Sequence, residues 1–251
     1  MNVAYTLARP AQLRPGFAEA DGGFADFADR LQEGLAAGRR TLQILNGAKQ
    51  ALAALPAGWL AARLAGLRAD EAELAALARR SVFNKNGFYK IRLAERPGFS
   101  LRLHIWLPGV HAQENLHSHR WPLVSRVLNG ALVSEYWEDA LSGDAEVYSE
   151  YHYRDAQQPL VPAGPARVRL ETTAAYRQGD AYFLPADRLH RVAADPVLGC
   201  STLMLRFANT RAWSRNLMRA GADLDVSPAP CSAADLARAL DWLSAEMAGQ
   251  G

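Results

Sequence analysis

The chain has 251 residues, 49% of them hydrophobic, which is enough for one large domain to bury a sizeable core without cross-links. The formal net charge is +2, with Lys and Arg scattered along the chain, so the basic footprint expected of a nucleic-acid binder is absent. Cys200 and Cys231 stand apart and form no C-x-x-C pair, and neither Met1 to Phe17 nor any later run has the apolar length of a signal peptide or a membrane span. A reducing, cytoplasmic setting with no membrane partner is therefore expected.

From about Gly22 to Arg80 the chain is Ala/Leu-rich. Apolar residues recur at helical spacing, as in Phe24, Phe27, Leu31 and Leu35, then Leu42, Leu45, Leu52 and Leu55. Pro56-Ala57-Gly58 interrupts the pattern, and Asp70 restarts it as an N-cap would, so three or four helices are expected. The apolar stripe reads as a packing face. Composition leaves open whether these helices cover a barrel mouth or form the interface of a homodimer.

After the turn signal Asn84-Lys85-Asn86-Gly87 the composition changes to short β-prone runs separated by Gly, Pro, Asn and Asp. Strands are expected over 88–93, 100–107, 123–128, 131–137, 145–153, 167–173, 180–184, 190–193 and 201–207. Many short strands without alternating helices point to a mainly β fold, a sandwich or barrel of jelly-roll type. Residues 232–247 read as a helix opened by a Ser232-x-x-Asp235 capping box, with Leu236, Leu240, Leu243 and Met247 on one face. The chain thus divides into a helical region over 1–84 packed on the barrel, a barrel over 85–210, and a helical segment over 211–251.

Six histidines are present: His104, His111, His117, His119, His152 and His190. Residues i and i+2 of a strand share a face, so His117-Ser118-His119 can offer two imidazoles to one metal ion. Taken alone, that pair fits a solvated strand as well as a metal site. Its surroundings resemble the two motifs of the cupins. His117-x-His119 is followed by Leu128-Asn129-Gly130, whose glycine marks a turn, and then by Gly179-Asp180-Ala181-Tyr182-Phe183-Leu184-Pro185 and His190.

The resemblance implies a cupin barrel in which His117, His119 and His190 ligate a metal. The glutamate that usually completes the cupin set corresponds to Leu123, so three neutral imidazoles leave open positions and an uncompensated metal charge. Within the cupins the chain is similar to thiol dioxygenases of the cysteine dioxygenase type, which hold ferrous iron on three histidines. Ser100 to Trp106, Pro108-Gly109-Val110-His111 and Leu116 to His119 carry that similarity, together with Leu189-His190-Arg191-Val192.

Two departures bear on substrate. The family's cysteine that crosslinks to tyrosine falls at Leu123, and its Ser-x-His-x-Tyr relay aligns with Thr202, Met204 and Arg206. Leu123, Met204 and Trp121 are expected to line the substrate pocket. Arg206 is expected either to clamp a substrate anion near the metal or to form a rim salt bridge. Lys90 and Arg92 lie near the position of the family's carboxylate-binding arginine, with a surface role as the alternative. Tyr136 is a candidate to hydrogen-bond bound oxygen, or else a packing residue like Trp137, Tyr151 and Tyr153.

On 100–106, the apolar face of Leu101, Leu103 and Ile105 is expected to point inward, leaving Arg102 and His104 outside or at a rim. His111 and His152 read as rim or core histidines. Glu114 is a candidate fourth ligand or outer partner of His119.

These readings imply a non-haem Fe(II)-dependent oxygenase acting on a small thiol, amino acid or other metabolite with dioxygen. Two alternatives stand beside it: a non-redox lyase or isomerase using another divalent metal, and a metal-stabilised sensing barrel without catalysis.

Overall fold

The computed structural model describes residues 22–36, 41–110, 114–154 and 160–249. His111 and the stretch Met1 to Phe17 lie outside the described residues. Four helices come first: α1 (Phe24–Ala36), α2 (Thr41–Ala53), α3 (Ala57–Ala69) and α4 (Glu71–Arg79). The stripe of α1 buries Phe24, Phe27, Leu31 and Leu35 as the spacing demands. Pro56 caps α3 with φ −66°, a value its ring imposes, and the Asp70 side chain accepts from the Glu73 N–H at 2.8 Å to open α4.

The strands follow: β1 (Val82–Asn84), β2 (Phe88–Arg96), β3 (Phe99–Trp106), β4 (Leu116–His117), β5 (Leu123–Asp139) and β6 (Glu146–Tyr153). After them come β7 (Val161–Arg177), β8 (Ala181–Leu184), β9 (Leu189–Ala194), β10 (Cys200–Phe207), β11 (Ser214–Met218) and β12 (Ala229–Pro230). The last helix is α5 (Ala233–Ala248), whose capping box forms as expected, Ser232 Oγ accepting from Asp235 N–H while Asp235 accepts from Ser232 N–H. No described helix is long and apolar enough to cross a membrane.

All pairings are antiparallel. β12, β1, β2, β3, β10 and β5 lie side by side in one sheet, with β8 also on β5. In the second sheet, pairings run from β5 through β7, β6, β11, β4 and β9 back to β5.

β5 belongs to both sheets. Two strands separated by a glycine turn were expected here, but the chain continues through Gly130 as one 17-residue strand. Gly130 has φ +71°, and a Cβ there would lie 2.4 Å from the Gly199 carbonyl oxygen, so the position must be glycine to make a corner rather than a reversal. Before the corner β5 pairs with β10 and β8; after it, with β7 and β9.

The segment read as helical after residue 211 also contains β11 and β12. β11 runs between β6 and β4, and its Ser-Arg-Asn-Leu-Met sequence has too little alternation to announce a strand. Its partners supply the order, including a pairing of Asn216 with His117.

The helices pack on the outer face of the first sheet. Leu101, Leu103 and Ile105 of β3 and Leu203 and Leu205 of β10, all fully buried, share one core cluster with Phe27, Leu31, Leu52, Leu64 and Leu77 of the helices and Leu240 of α5. Removing such a side chain from water is worth roughly 1.5–3 kcal/mol. This reverses one expectation: the apolar face of β3 points out, under helices, and Arg102, His104 and Trp106 point into the space between the sheets. Cys200 and Cys231 are both free thiols.

Candidate functional site

His117 ends β4 and is the cross-strand partner of His190 on β9, which is in turn the partner of Tyr136 on β5. His119 lies just beyond β4. The intervening turn is fastened on both sides: Ser118 N–H donates to the Arg215 carbonyl at 2.9 Å, Arg215 N–H donates to Ser118 Oγ at 3.0 Å, and His119 N–H donates to the Ala186 carbonyl at 2.8 Å. Ladder and turn hydrogen bonds therefore aim the histidines before any ligand arrives.

The three rings converge. Their centroids are 4.7 to 5.0 Å apart, and one ligating atom from each lies within 4.8 Å of the others. His117 Nδ1 lies 2.8 Å from the Asn115 carbonyl oxygen, so that nitrogen carries the proton and Nε2 keeps its lone pair. The Nε2 atoms of His119 and His190 are 3.0 Å apart, a spacing that suits one shared proton or a common cation between two lone pairs. Burial, aided by His117 and His190 for His119 and by His117 for His190, holds both rings well below the usual histidine value, in the neutral form a metal requires. The donor set fits a divalent metal ion.

No carboxylate joins this cluster among the described residues. Leu123 stands in the cavity wall. Glu114 is occupied: its carboxylate accepts from Val192 N–H at 2.6 Å and from Asn86 Nδ2 at 3.2 Å, which ties the segment before β4 to β9.

The histidines open on a cavity of about 100 Å³ between the two sheets. Trp121, Leu123 and Met204 line it, as do Lys90, Arg102, His104, Ser125, Tyr182 and Thr202. Trp121 stacks on His119 with centroids 5.1 Å apart and planes at 27°.

Four residues singled out from the sequence lie elsewhere. Arg206 does not line the cavity; its guanidinium carbon sits 4.3 Å from the Trp121 ring centroid, and it donates to Asn209 Oδ1 at 2.6 Å. It shares the β10 face of Thr202 and Met204 but lies one step further toward the end of the sheet, paired with Leu123. Arg92, although it is the β2 partner of Arg102, does not line the cavity either: it is exposed, borders a groove between β2 and the helices and pairs with Glu95 at 3.6 Å. The Tyr136 hydroxyl is 2.9 Å from that of Tyr176, and its ring packs with Leu123, Leu184 and Met204 behind the cavity. His152 is remote, stacked on Trp213 at 3.6 Å.

Arg102, His104 and Tyr182 are the residues the sequence reading passed over. Their signal was present as alternation along β3 and β8, but it was assigned to the wrong face for β3. Lys90 pairs with His104 and Arg92 with Arg102 in the β2–β3 register, which brings the Lys90 and Arg102 side chains to one wall.

Burial and the nearby Arg102 bring the Lys90 ammonium down to about 8. Burial, with Arg206 and Arg92 close, brings Arg102 to about 10. His104 is held well below its usual value by burial and by Lys90 and Arg102.

No family model matches the chain, and no curated protein does. Solved structures give only loose likeness. The chain is similar to a cupin superfamily protein from Desulfitobacterium hafniense, at 11% identity and a TM-score of 0.30, over 50% of this chain and 81% of that one. It is similar to Streptomyces albus HEPD, with 2-hydroxyethylphosphonate and Fe(II) bound, at 15% identity and a TM-score of 0.31, over 49% of this chain and 22% of that one. It is also similar to the hydroquinone 1,2-dioxygenase PnpCD, in complex with Cd2+ and 4-hydroxybenzonitrile, at 14% identity and a TM-score of 0.31, over 55% and 72%. At this level of likeness no property of those proteins transfers to this chain, and function has to be argued from the side chains themselves.

Proposed function

We propose that the protein is a non-haem Fe(II)-dependent oxygenase of the three-histidine cupin type, acting on a small metabolite together with dioxygen. The observation that carries this reading is the convergence of His117, His119 and His190, all neutral donors, on one small cavity with no carboxylate among them. Ferrous iron held there would supply coordination positions for both substrate and dioxygen and a route for electrons from the substrate to dioxygen.

The remaining roles belong to the chain. Hydrogen bonds at Ser118, His119 and His117 Nδ1 fix the ring directions, so little reorganisation accompanies metal uptake. Trp121 shields one face of His119, and Leu123 and Met204 make the adjoining wall apolar, which limits water near the reacting atoms. Tyr182, half-buried and lining the cavity, keeps its hydroxyl protonated because desolvation raises its value, so it can act there as a hydrogen-bond donor. The volume admits only a compact substrate, well below the 300–1,000 Å³ of ordinary ligand pockets.

The test is elemental analysis of protein purified without added metal, followed by oxygen-electrode measurements on iron-loaded protein with small thiols, amino acids and other small acids. Iron content and substrate-dependent oxygen uptake are expected. A zinc-filled, iron-free site with activity under anaerobic conditions would overturn the oxygenase reading in favour of a non-redox lyase or isomerase.

A further inference from the structure

The cavity has two chemically different ends. One carries the histidines. The other, formed by β2 and β3, carries Lys90, Arg102 and His104, and no acid forms an ion pair with Lys90 or Arg102 among the described residues. Arg102 makes one hydrogen bond, from Nε to Ser100 Oγ at 2.9 Å, and that acceptor is neutral. His104 Nε2 is buried without a hydrogen-bond partner, and its ring is wedged between Phe88 at 4.9 Å and Trp106 at 5.9 Å, so it cannot swing out to find one.

Glu114 is the single acid in the lining, and two donors already engage it. The formal charge of the lining is therefore +1 from its side chains. A divalent ion on three neutral imidazoles would raise it to +3.

Partly buried charge without an ion partner is costly, and an anion from solution would supply the partner. We infer that Lys90, Arg102 and His104 form a subsite for a compact dianionic acid group, of phosphate, phosphonate or dicarboxylate chemistry, and that this group anchors the substrate across the cavity from the histidines. The inference rests on the proposed function for the role of the bound molecule, but not for the anion site itself. Two cations on adjacent strands match two negative charges, the planar guanidinium can donate two parallel hydrogen bonds, and the neutral imidazole adds a third contact. A volume of about 100 Å³, roughly three waters' share of liquid, suits a head group of a few heavy atoms. Close to Lys90 and His104, the His119 ring is near enough to feel their charge and ring, so the subsite and the metal ligands belong to one electrostatic unit.

Lys90 is the more adjustable partner. Its reduced proton affinity stands beside the geometry as a sign that the ammonium lacks a counter-charge, and a bound dianion would supply one.

The experiment is calorimetric titration at constant ionic strength of metal-free and iron-loaded protein with inorganic phosphate, malonate and acetate, for the wild type, Lys90→Met and Arg102→Met. At least one dianion should bind the wild type tenfold or more tighter than acetate does. Each substitution should weaken it by tenfold or more while iron content stays the same. Wild-type protein that binds neither dianion better than acetate overturns the inference, whatever the variants do, and so does undiminished dianion binding in both well-folded variants. Arg102→Lys keeps the charge without the fork, and intermediate affinity is expected from it. Dianion binding by a protein that takes up no iron would defeat the metal reading and leave this one standing; iron uptake without dianion preference would do the reverse.

Discussion

The two faces of β3 show how one strand serves stability and chemistry at once. Leu101, Leu103 and Ile105 point out beneath the helices and are fully buried, whereas Arg102, His104 and Trp106 point into the cavity. In most half-buried strands the polar face meets water and the apolar face meets the core. Here the helical layer has taken over the outer face, so the polar residues were left to the inside. The lesson is that this part of the interior is free to hold charge because the largest buried apolar cluster lies on the outside of the first sheet, beneath the helices, with smaller apolar clusters inside.

The largest effect should come from the polar side of that division. His190→Ala removes one of three metal donors, and near-complete loss of bound iron is expected on elemental analysis with the fold retained by circular dichroism. Full iron occupancy in this variant would show that the histidines are not the ligand set.

Next in size is the outer face. Leu103→Ala should destabilise the protein by about 2–5 kcal/mol in urea unfolding, the usual cost of a cavity beneath packed helices. If the loss is below about 1 kcal/mol, the helical layer is not what holds this sheet, and the contrast between faces fails.

The charged positions should behave in the opposite sense. Lys90→Met and Arg102→Met are each expected to raise the stability of metal-free, anion-free protein by about 1 kcal/mol, because they remove a buried charge that lacks a partner. Destabilisation by either would mark it as a structural residue.

A pH effect of similar origin sharpens the point. Lys90 is held at about 8 in the folded protein against the ordinary lysine value of 10.5, with Arg102 and His104 on β3, Glu114 before β4, Arg206 on β10 and Arg92 on its own strand as its charged or titratable surroundings. Between those values the unfolded chain binds the extra proton, so Lys90 contributes stability that increases with pH from about 8 to 10.5. Stability curves across that range should rise less steeply for Lys90→Met than for the wild type; parallel curves would remove Lys90 from the account.

The smallest expected effect lies in the outer layer's last helix. Ser232→Ala breaks the capping box of α5 and should cost about 1 kcal/mol, read as a reduced urea midpoint, with no change in iron content. A change in iron content would tie this helix to the cavity rather than to the scaffold.

Much of this was legible from local pattern. The three or four N-terminal helices expected, of which the structure shows four, the Asp70 and Ser232 caps and the His117-x-His119 pair depend on neighbours within a helical turn or two. The resemblance to cupins brought His190 into the same set from a distance, and the structure brings it against both other rings.

Other features were not legible. Gly130 reads as a turn glycine, and only its close approach to Gly199 shows that β5 continues through a corner into the second sheet. Arg206 and Arg92 were chosen by position along the strand, yet Arg206 packs on Trp121 and reaches Asn209, and Arg92 is exposed beside Glu95, so neither lines the cavity.

The sequence by itself therefore determined the helices with their caps, the His117-x-His119 pair and the absence of a glutamate at Leu123, because these are properties of residue identity and short spacing, whereas His190 joined the pair only through the resemblance to the cupins. Only the tertiary structure decided which face of β3 looks inward. A strand with one apolar and one polar face fits either orientation until something covers it, and here the covering layer comes from helices some fifty residues upstream and from α5 far downstream. Once they claim Leu101, Leu103 and Ile105, Arg102 and His104 have nowhere to go but the cavity beside the three histidines.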